Sequence, residues 1–213
     1  MIDLTKDRKM LKKLYQPGTK EFVLVDVPTL PFAFVEGQGS PDIAGPKAIK
    51  CLFQAIYRIR RQARERMGKS FVEPPVEMLY WADDMGDLIK GNKDKWQWRA
   101  MVPLPIWVNE KALAQSISET EEMIGALEFA IKYEQFTEGK CVQIMHKGLV
   151  DEIPNLLKRL FDEFLPARKL KPKGAYHEIY LDDRSRVAPK KRKMILRQPL
   201  ADSGFCAETK KGL

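Results

Sequence analysis

Tyr176, Glu178 and Tyr180 alternate along the run GAYHEIYLDD (174–183), which reads as a β-strand with a carboxylate at its middle. Period-two alternation puts these three side chains on one face and His177, Ile179 and Leu181 on the other. A second run, PPVEMLYWADD (74–84), places Glu77, Leu79 and Trp81 on one face and Val76, Met78 and Tyr80 on the other. In KWQWRAMVPLP (95–105), Trp96, Trp98 and Ala100 share a face. Tyr and Trp are ordinary strand residues and exposed strands often carry Glu, so either glutamate alone suits a solvated face equally well. Two carboxylates among several large aromatics predict instead the wall of a pocket for a flat, apolar or cationic molecule. Rings stack and attract cations, and a carboxylate in an apolar wall attracts positive charge. Burial also raises a carboxyl pKa, which suits general acid/base work.

The elements that must position these residues follow from periodicity and turn chemistry. Residues 3–15 predict a short helix closed by QPGTK, followed by strands at 21–28 and 30–42. Residues 45–68 carry Ile49, Leu52, Phe53, Ile56 and Ile59 at helical spacing, with Pro46 in the first turn and Gly68 at the end. Residues 109–135 predict helix N-capped by Asn109, as one piece or two divided near QSISET. GKCVQIMHKG (139–148) predicts a strand, 150–169 a helix with Leu156, Leu157, Leu160, Phe161 and Phe164 on one face, and 192–200 a last strand.

This order repeats. A strand with a Gly-containing acidic turn, a helix and two strands occur twice, and both final strands end in Pro-Leu. The fold class expected is α+β, a tandem βαββ repeat with pseudo-twofold symmetry, an antiparallel sheet and helices on one side. A single domain spans 1–213, with copy one at about 21–105, copy two at about 139–200 and a helical insertion at 109–135. Laying Val76-Glu77-Met78 over His177-Glu178-Ile179 puts Glu77 and Glu178 on symmetric strands, both pointing away from the helices toward a common axis.

Composition narrows the function classes. Of 213 residues, 44% are hydrophobic and 31% charged, and the N-terminal stretch is charged throughout, with no apolar signal core and no apolar run of membrane-spanning length. A cytoplasmic location is expected. Three separated cysteines, Cys51, Cys141 and Cys206, indicate neither a disulfide framework nor a metal site, and two histidines make a zinc site an unfavoured reading. The net charge of +8 gathers near the N-terminus, at 57–69 and at 184–193. No aromatic platform or helix-turn-helix accompanies these clusters, so nucleic acid is not the expected partner. PKKRK (189–193) reads as a loop and strand entry, His146 as a turn-stabilising donor, and Asp151 and Glu152 as helix caps. GQGSP (37–41) is too weak a signal for a phosphate loop.

The segments LKKLYQPGTKEFVLVDVPTLPFAFVEGQGSP, VEMLYWADD, WQWRAMVPLP, CVQIMHKGLVDE and YHEIYLDD…ILRQPL together resemble the GyrI-like small-molecule-binding family, from about Leu11 to Leu200. That family is related to the effector-binding domains of multidrug-sensing transcription regulators. The resemblance implies a central ligand groove between the copies and ligands that are hydrophobic, often cationic or aromatic. It also implies, from stand-alone members, hydrolases that open the cyclopropane of DNA-alkylating natural products. By motif, Glu178 and Tyr180 fall on the HEIYL strand, and Glu77 and Trp81 on the strand usually written LEGLWW. Met78 departs from the usual Gly, Tyr80 from the first Trp, Trp107 from a commoner Phe, and RSRVAPKKRKM from an Asp-Pro-Arg turn. With no DNA-binding helices appended, a stand-alone member is expected. The expected catalytic residues are Glu77, Glu178 and Tyr180, and the expected ligand-binding residues Trp81, Trp98, Trp107 and Tyr176, with no metal or organic cofactor. A non-catalytic sensing or drug-sequestering module and a basic nucleic-acid-associated protein stand as the alternatives, and the oligomeric state is open.

Overall fold

The computed structural model describes residues 7–68 and 75–201; Cys206 lies outside them. Eight strands, β1 (Val23–Val27), β2 (Leu30–Gln38), β3 (Val76–Trp81), β4 (Gln97–Pro103), β5 (Lys132–Phe136), β6 (Gly139–Lys147), β7 (Tyr176–Tyr180) and β8 (Lys193–Pro199), form one sheet. Its order is β1-β6-β8-β7-β3-β4-β2-β5, with every pairing antiparallel. The order is the repeat made visible. The triplets β6-β8-β7 and β3-β4-β2 mirror one another about the β7–β3 seam, and β1 and β5 complete the two edges. Pro103 and Pro199 end the matching strands, where Leu104 N donates to Pro31 O and Leu200 N donates to Lys140 O.

The edge strands are exchanged between halves. β1 leads directly into β2 of copy one but pairs with β6 of copy two; β5 leads into β6 but pairs with β2. Each crossing link has two residues, Pro28-Thr29 and Thr137-Glu138. Such a link reaches about 11 Å at most, so the two edges must approach and the sheet must curl. The links meet at Thr29 and Thr137, whose hydroxyl oxygens are 2.6 Å apart.

α1 (Arg8–Tyr15), α2 (Pro41–Met67), α3 (Met85–Ile89), α4 (Glu110–Ile124), α5 (Ile153–Lys158) and α6 (Leu165–Ala167) complete the fold, with a π-helical turn at Arg159–Phe164 joining α5 to α6. One sheet face packs Ala33, Val35, Met78, Tyr80, Trp98, Ile144 and Leu196 against α2, α4 and α5. The other face packs Phe32, Phe34, Leu79, Met101, Ile179 and Ile195 beneath Leu14 and Tyr15 of α1. Two expected elements differ. α2 starts at Pro41, because Ser40 Oγ accepts from Asp42 N and Pro suits a first helical position; Pro46 lies one turn further in. The expected helix at 109–135 ends at Ile124, where Gly125 turns the backbone to a φ of 85°. Residues 132–136 then become β5, with Tyr133 on one core and Phe136 on the other. Asn109 caps α4 as expected, its Oδ1 accepting from Ala112 N at 2.9 Å. Residues 189–191 form a short 3₁₀ turn into β8, as the loop reading of PKKRK anticipated. No helix among the described residues is long and apolar enough to cross a membrane.

Gly37 shows how tightly the helix side is built. A Cβ there would meet the Trp98 ring at 2.0 Å, and Trp98 is fully buried. Gly37→Ala must therefore push the indole out of place. A loss of about 1–3 kcal/mol is expected from such overpacking, measured as a lower urea midpoint at unchanged m-value; an unshifted midpoint would refute the packing.

Candidate functional site

The register of β3 against β7 decides the site. Met78 pairs with Glu178, Tyr80 with Tyr176 and Val76 with Tyr180. Directly paired residues share a face, so Met78, Tyr80, Tyr176, Glu178 and Tyr180 all face the helices. The carboxylate therefore points toward the helices rather than away from them. That face borders a groove lined by the first turns of α2 (Pro41, Gly45, Pro46 and Ile49), by Met78, Tyr80 and Tyr180, and by Leu11 and Tyr15 of α1.

Three hydroxyls surround Glu178. Tyr176 donates to its Oε1 at 3.2 Å and Tyr180 to its Oε2 at 2.5 Å. The Tyr80 hydroxyl is 3.2 Å from that of Tyr180. The Tyr80 ring stacks at 6.4 Å on Tyr176 and meets Trp96 edge-on at 5.5 Å. Glu178 is half-buried and hydrogen-bonded to Tyr180, which lines the groove. Its pKa is raised: burial dominates, opposed by the hydrogen bonds from Tyr180 and Tyr176 and by the Arg184 guanidinium. Burial and the neighbouring carboxylate push Tyr176 and Tyr180 upward, so both stay protonated donors. Such a carboxylate accepts a proton readily, and the hydroxyls beside it donate to a developing oxyanion.

Glu77 is elsewhere. It pairs with Ile179 and shares the opposite face with His177. The expected superposition was out by one residue, and a one-residue slip exchanges faces. In the structure Met78, not Glu77, is the symmetric counterpart of Glu178, and His177 is the counterpart of Glu77. Glu77 is 1% exposed. Tyr15 donates to its Oε1 at 2.8 Å, and His177 Nε2 lies 3.0 Å from its Oε2 without hydrogen-bond alignment. On its other side His177 Nδ1 is 2.8 Å from Glu138 Oε1, and Arg197 Nη1 donates to Glu138 Oε2 at 3.0 Å. Arg197 also donates to Gln143 Oε1 at 3.0 Å and to Leu14 O at 2.8 Å, while Gln143 Nε2 donates to Lys13 O at 2.9 Å. Two carboxylates and two cations thus balance in the interior, and they hold the end of α1.

Of the aromatics expected at the site, Tyr180 lines the groove, and Tyr176, buried, donates to Glu178. Trp81 lies on the opposite face, its Nε1 donating to Gln97 Oε1 at 3.0 Å. Trp98 faces the helices but is sealed beneath Gly37. Trp107 packs half-buried against the helix-side core and does not line the groove. His146 serves its turn as expected, with Nε2 2.8 Å from Leu149 O. The residues missed are Tyr80, Met78, Arg184 and Tyr15, which line the groove, and Glu138, Gln143 and Arg197 in the buried network. The signal for the first two was available: aligning Pro103-Leu104 on Pro199-Leu200 and keeping sheet register lays Tyr80 over Tyr180. Among the described residues no group of three His, Cys, Asp or Glu side chains is placed to hold a metal ion.

The buried network carries a pH signature. Burial alone would lower the His177 pKa, but Glu138 and Glu77 outweigh it and raise it from 6.5 to about 9. The stability it contributes is present below 6.5 and lost as pH rises through about 9. Glu138 is held well below the usual carboxylate range because His177 and Arg197 outweigh its burial, so its contribution is present above the ordinary value and lost only in strong acid. Melting temperature should fall between pH 6.5 and 9, and the His177 imidazole should titrate near the upper end by NMR. Titration at or below the ordinary value would remove the imidazolium from the network.

The family of GyrI-like small molecule binding domains matches residues 20–197. Among solved structures, an uncharacterized conserved protein from Listeria innocua is 29% identical, with 94% of this chain and 100% of that one covered and a TM-score of 0.82. A protein described as a hydrolase from Listeria innocua is 28% identical, with 94% and 100% covered and a TM-score of 0.78. The EcmrR C-terminal domain shares the fold at 11% identity, with 86% and 98% covered and a TM-score of 0.55. A search of curated proteins gave no match.

Proposed function

Because the chain belongs to the GyrI-like small-molecule-binding domain family, we propose that the helix-side groove receives a flat, largely apolar molecule and that Glu178 acts on it as a general base. The observation that carries this reading is one half-buried carboxylate at the sheet centre, held by two tyrosine hydroxyls, one of them on a ring that lines the groove. The hydrolase description of the Listeria protein supports a hydrolytic role.

The reaction proposed is ring-opening hydrolysis of a cyclopropane conjugated to a carbonyl. Water oxygen bonds to a ring carbon as Glu178 takes a water proton. The strained carbon–carbon bond breaks, and its electron pair moves to the carbonyl oxygen. That oxyanion accepts hydrogen bonds from Tyr80 or Tyr180 and then takes back the proton, so one water is added overall. Glu77 has no part in these steps, since it is buried and faces the side of the sheet opposite Glu178. Detoxification of such alkylating electrophiles is the physiological role proposed.

Mass spectrometry of a cyclopropane-bearing DNA alkylator incubated with the protein tests this. Product heavier by one water is expected with the wild type. Glu178→Gln should lower its formation about 100-fold or more, the scale of general acid/base catalysis. Folded Glu77→Gln should retain turnover. Intact compound throughout, bound in the groove, would leave a sequestering or sensing module without chemistry.

A further inference from the structure

The two outer edges of the sheet are finished differently. β5 is guarded by charge: Lys132 pairs with Glu36 at 3.0 Å, and Glu134 accepts from Arg99. Charged side chains on an edge discourage a further strand. β1 reads Val23-Leu24-Val25-Asp26-Val27, with one charge and no proline. Val25 and Val27 are buried in the core beneath α1, yet Leu24 is 57% and Val23 39% exposed.

The direction of the β1 peptide groups follows from its neighbour. On β6, Lys140 O accepts from Leu200 N on the β8 side, and Met145 N donates to Gly18 O on the β1 side. Bonding alternates along an antiparallel strand, so the odd residues of β6 bond toward β1, and Val23, Val25 and Val27 are their register partners. The N–H and C=O groups of Leu24 and Asp26 therefore point to the open edge, where no backbone group meets them among the described residues. Phe22 and Asp26 lie two residues to either side of Leu24, and alternation puts all three on one face. Phe22 packs with Val142, the residue opposite Leu24, beneath the π-helical turn. Arg159 stands 4.8 Å over the Phe22 ring, donates to Lys20 O at 3.2 Å and has no carboxylate partner among the described residues. Asp26 faces Lys140 across the β1–β6 ladder without an ion-pair contact.

We propose that β1 is the interface for a second copy of this chain. Two β1 strands pair antiparallel about a twofold axis at Leu24 and join the eight-stranded sheets edge to edge. In that register Leu24 meets the partner's Leu24, and the free N–H and C=O of each bond to the other. Val23 comes against the partner's Val25. Asp26 comes against the partner's Phe22, whose ring carries the partner's Arg159. The groups left open on this edge thus complement one another, as an isologous contact requires. A contact this short makes a weak dimer, of micromolar affinity or below.

Sedimentation velocity from about 1 to 300 µM tests this. The wild type should pass from monomer toward dimer over that range. Leu24→Lys sets like charges opposite each other at the axis and should weaken association about tenfold or more. Because Leu24 is exposed, that variant should keep the wild-type melting temperature at monomeric concentration. Asp26→Arg should weaken association about two- to fivefold, and adding Arg159→Asp should recover part of the loss. Hydrogen exchange reads the register: the Leu24 and Asp26 amides should exchange fast in the monomer and slowly in the dimer, whereas the Val25 amide, bonded to β6, stays slow in both. A protein monomeric throughout, or a dimer that survives Leu24→Lys with the Leu24 amide of the wild type still fast, would overturn the assignment.

Discussion

Glu138 and Arg197 fasten this fold at its weakest geometric point. Two strands leave one half of the sheet to finish the edge of the other, and their links cross at Thr29 and Thr137. Glu138, in the second link, reaches inward to Arg197 and His177 at the sheet centre. Arg197 continues to the carbonyl of Leu14 and so secures the last turn of α1. Ion pairs this deep are poor sources of net stability, because desolvation offsets most of their attraction. Their value lies in geometry: an unpaired member would cost about 3–5 kcal/mol, so arrangements of the crossing links that leave one unpaired are penalised. The short links impose the curl, and the buried pair ties the second link to the sheet centre and to the end of α1.

The two faces of the central strands then carry opposite chemistry one residue apart. His177 faces the sealed network, and Glu178 faces the groove. The first sits among compensating charges and is held protonated. The second sits among tyrosines and an apolar floor, where burial makes it a stronger base than an exposed glutamate. Because neighbouring side chains on a strand point to opposite sides, the sheet itself separates a buried charge cluster from the carboxylate on the helix side. Copy one contributes Met78 where copy two has Glu178, so the pseudo-twofold groove has a single carboxylate at its centre and is chemically asymmetric.

Much of this was legible in the chain. Strand and helix order, the βαββ repeat, the shared face of Tyr176, Glu178 and Tyr180, and the Pro-Leu ends of the matching strands all follow from short-range spacing. Four features were not legible. Glu77 was assigned to the groove because a plausible residue match replaced sheet register. Trp98 was assigned to ligand binding because its type suits a pocket, whereas Gly37 opposite it makes room for the ring inside the core. The strand at 132–136 was absorbed into helix because its alternation spans only five residues and acquires meaning at the free edge of β2. Arg197 and Glu138, 59 positions apart, carry no local mark of their pairing.

Short-range pattern in the chain is enough to show which residues alternate, roughly where the long helices lie and that the chain repeats, because those depend on interactions between near neighbours. Only the folded chain settles which strand face meets the helices, which glutamate is half-buried beside the groove and which is sealed, and that Arg184 stands over Tyr180. Those outcomes depend on cross-strand register and on how a curled sheet brings distant segments together. A shift of one residue in that register leaves every local pattern unchanged while turning a buried ion pair into a groove carboxylate.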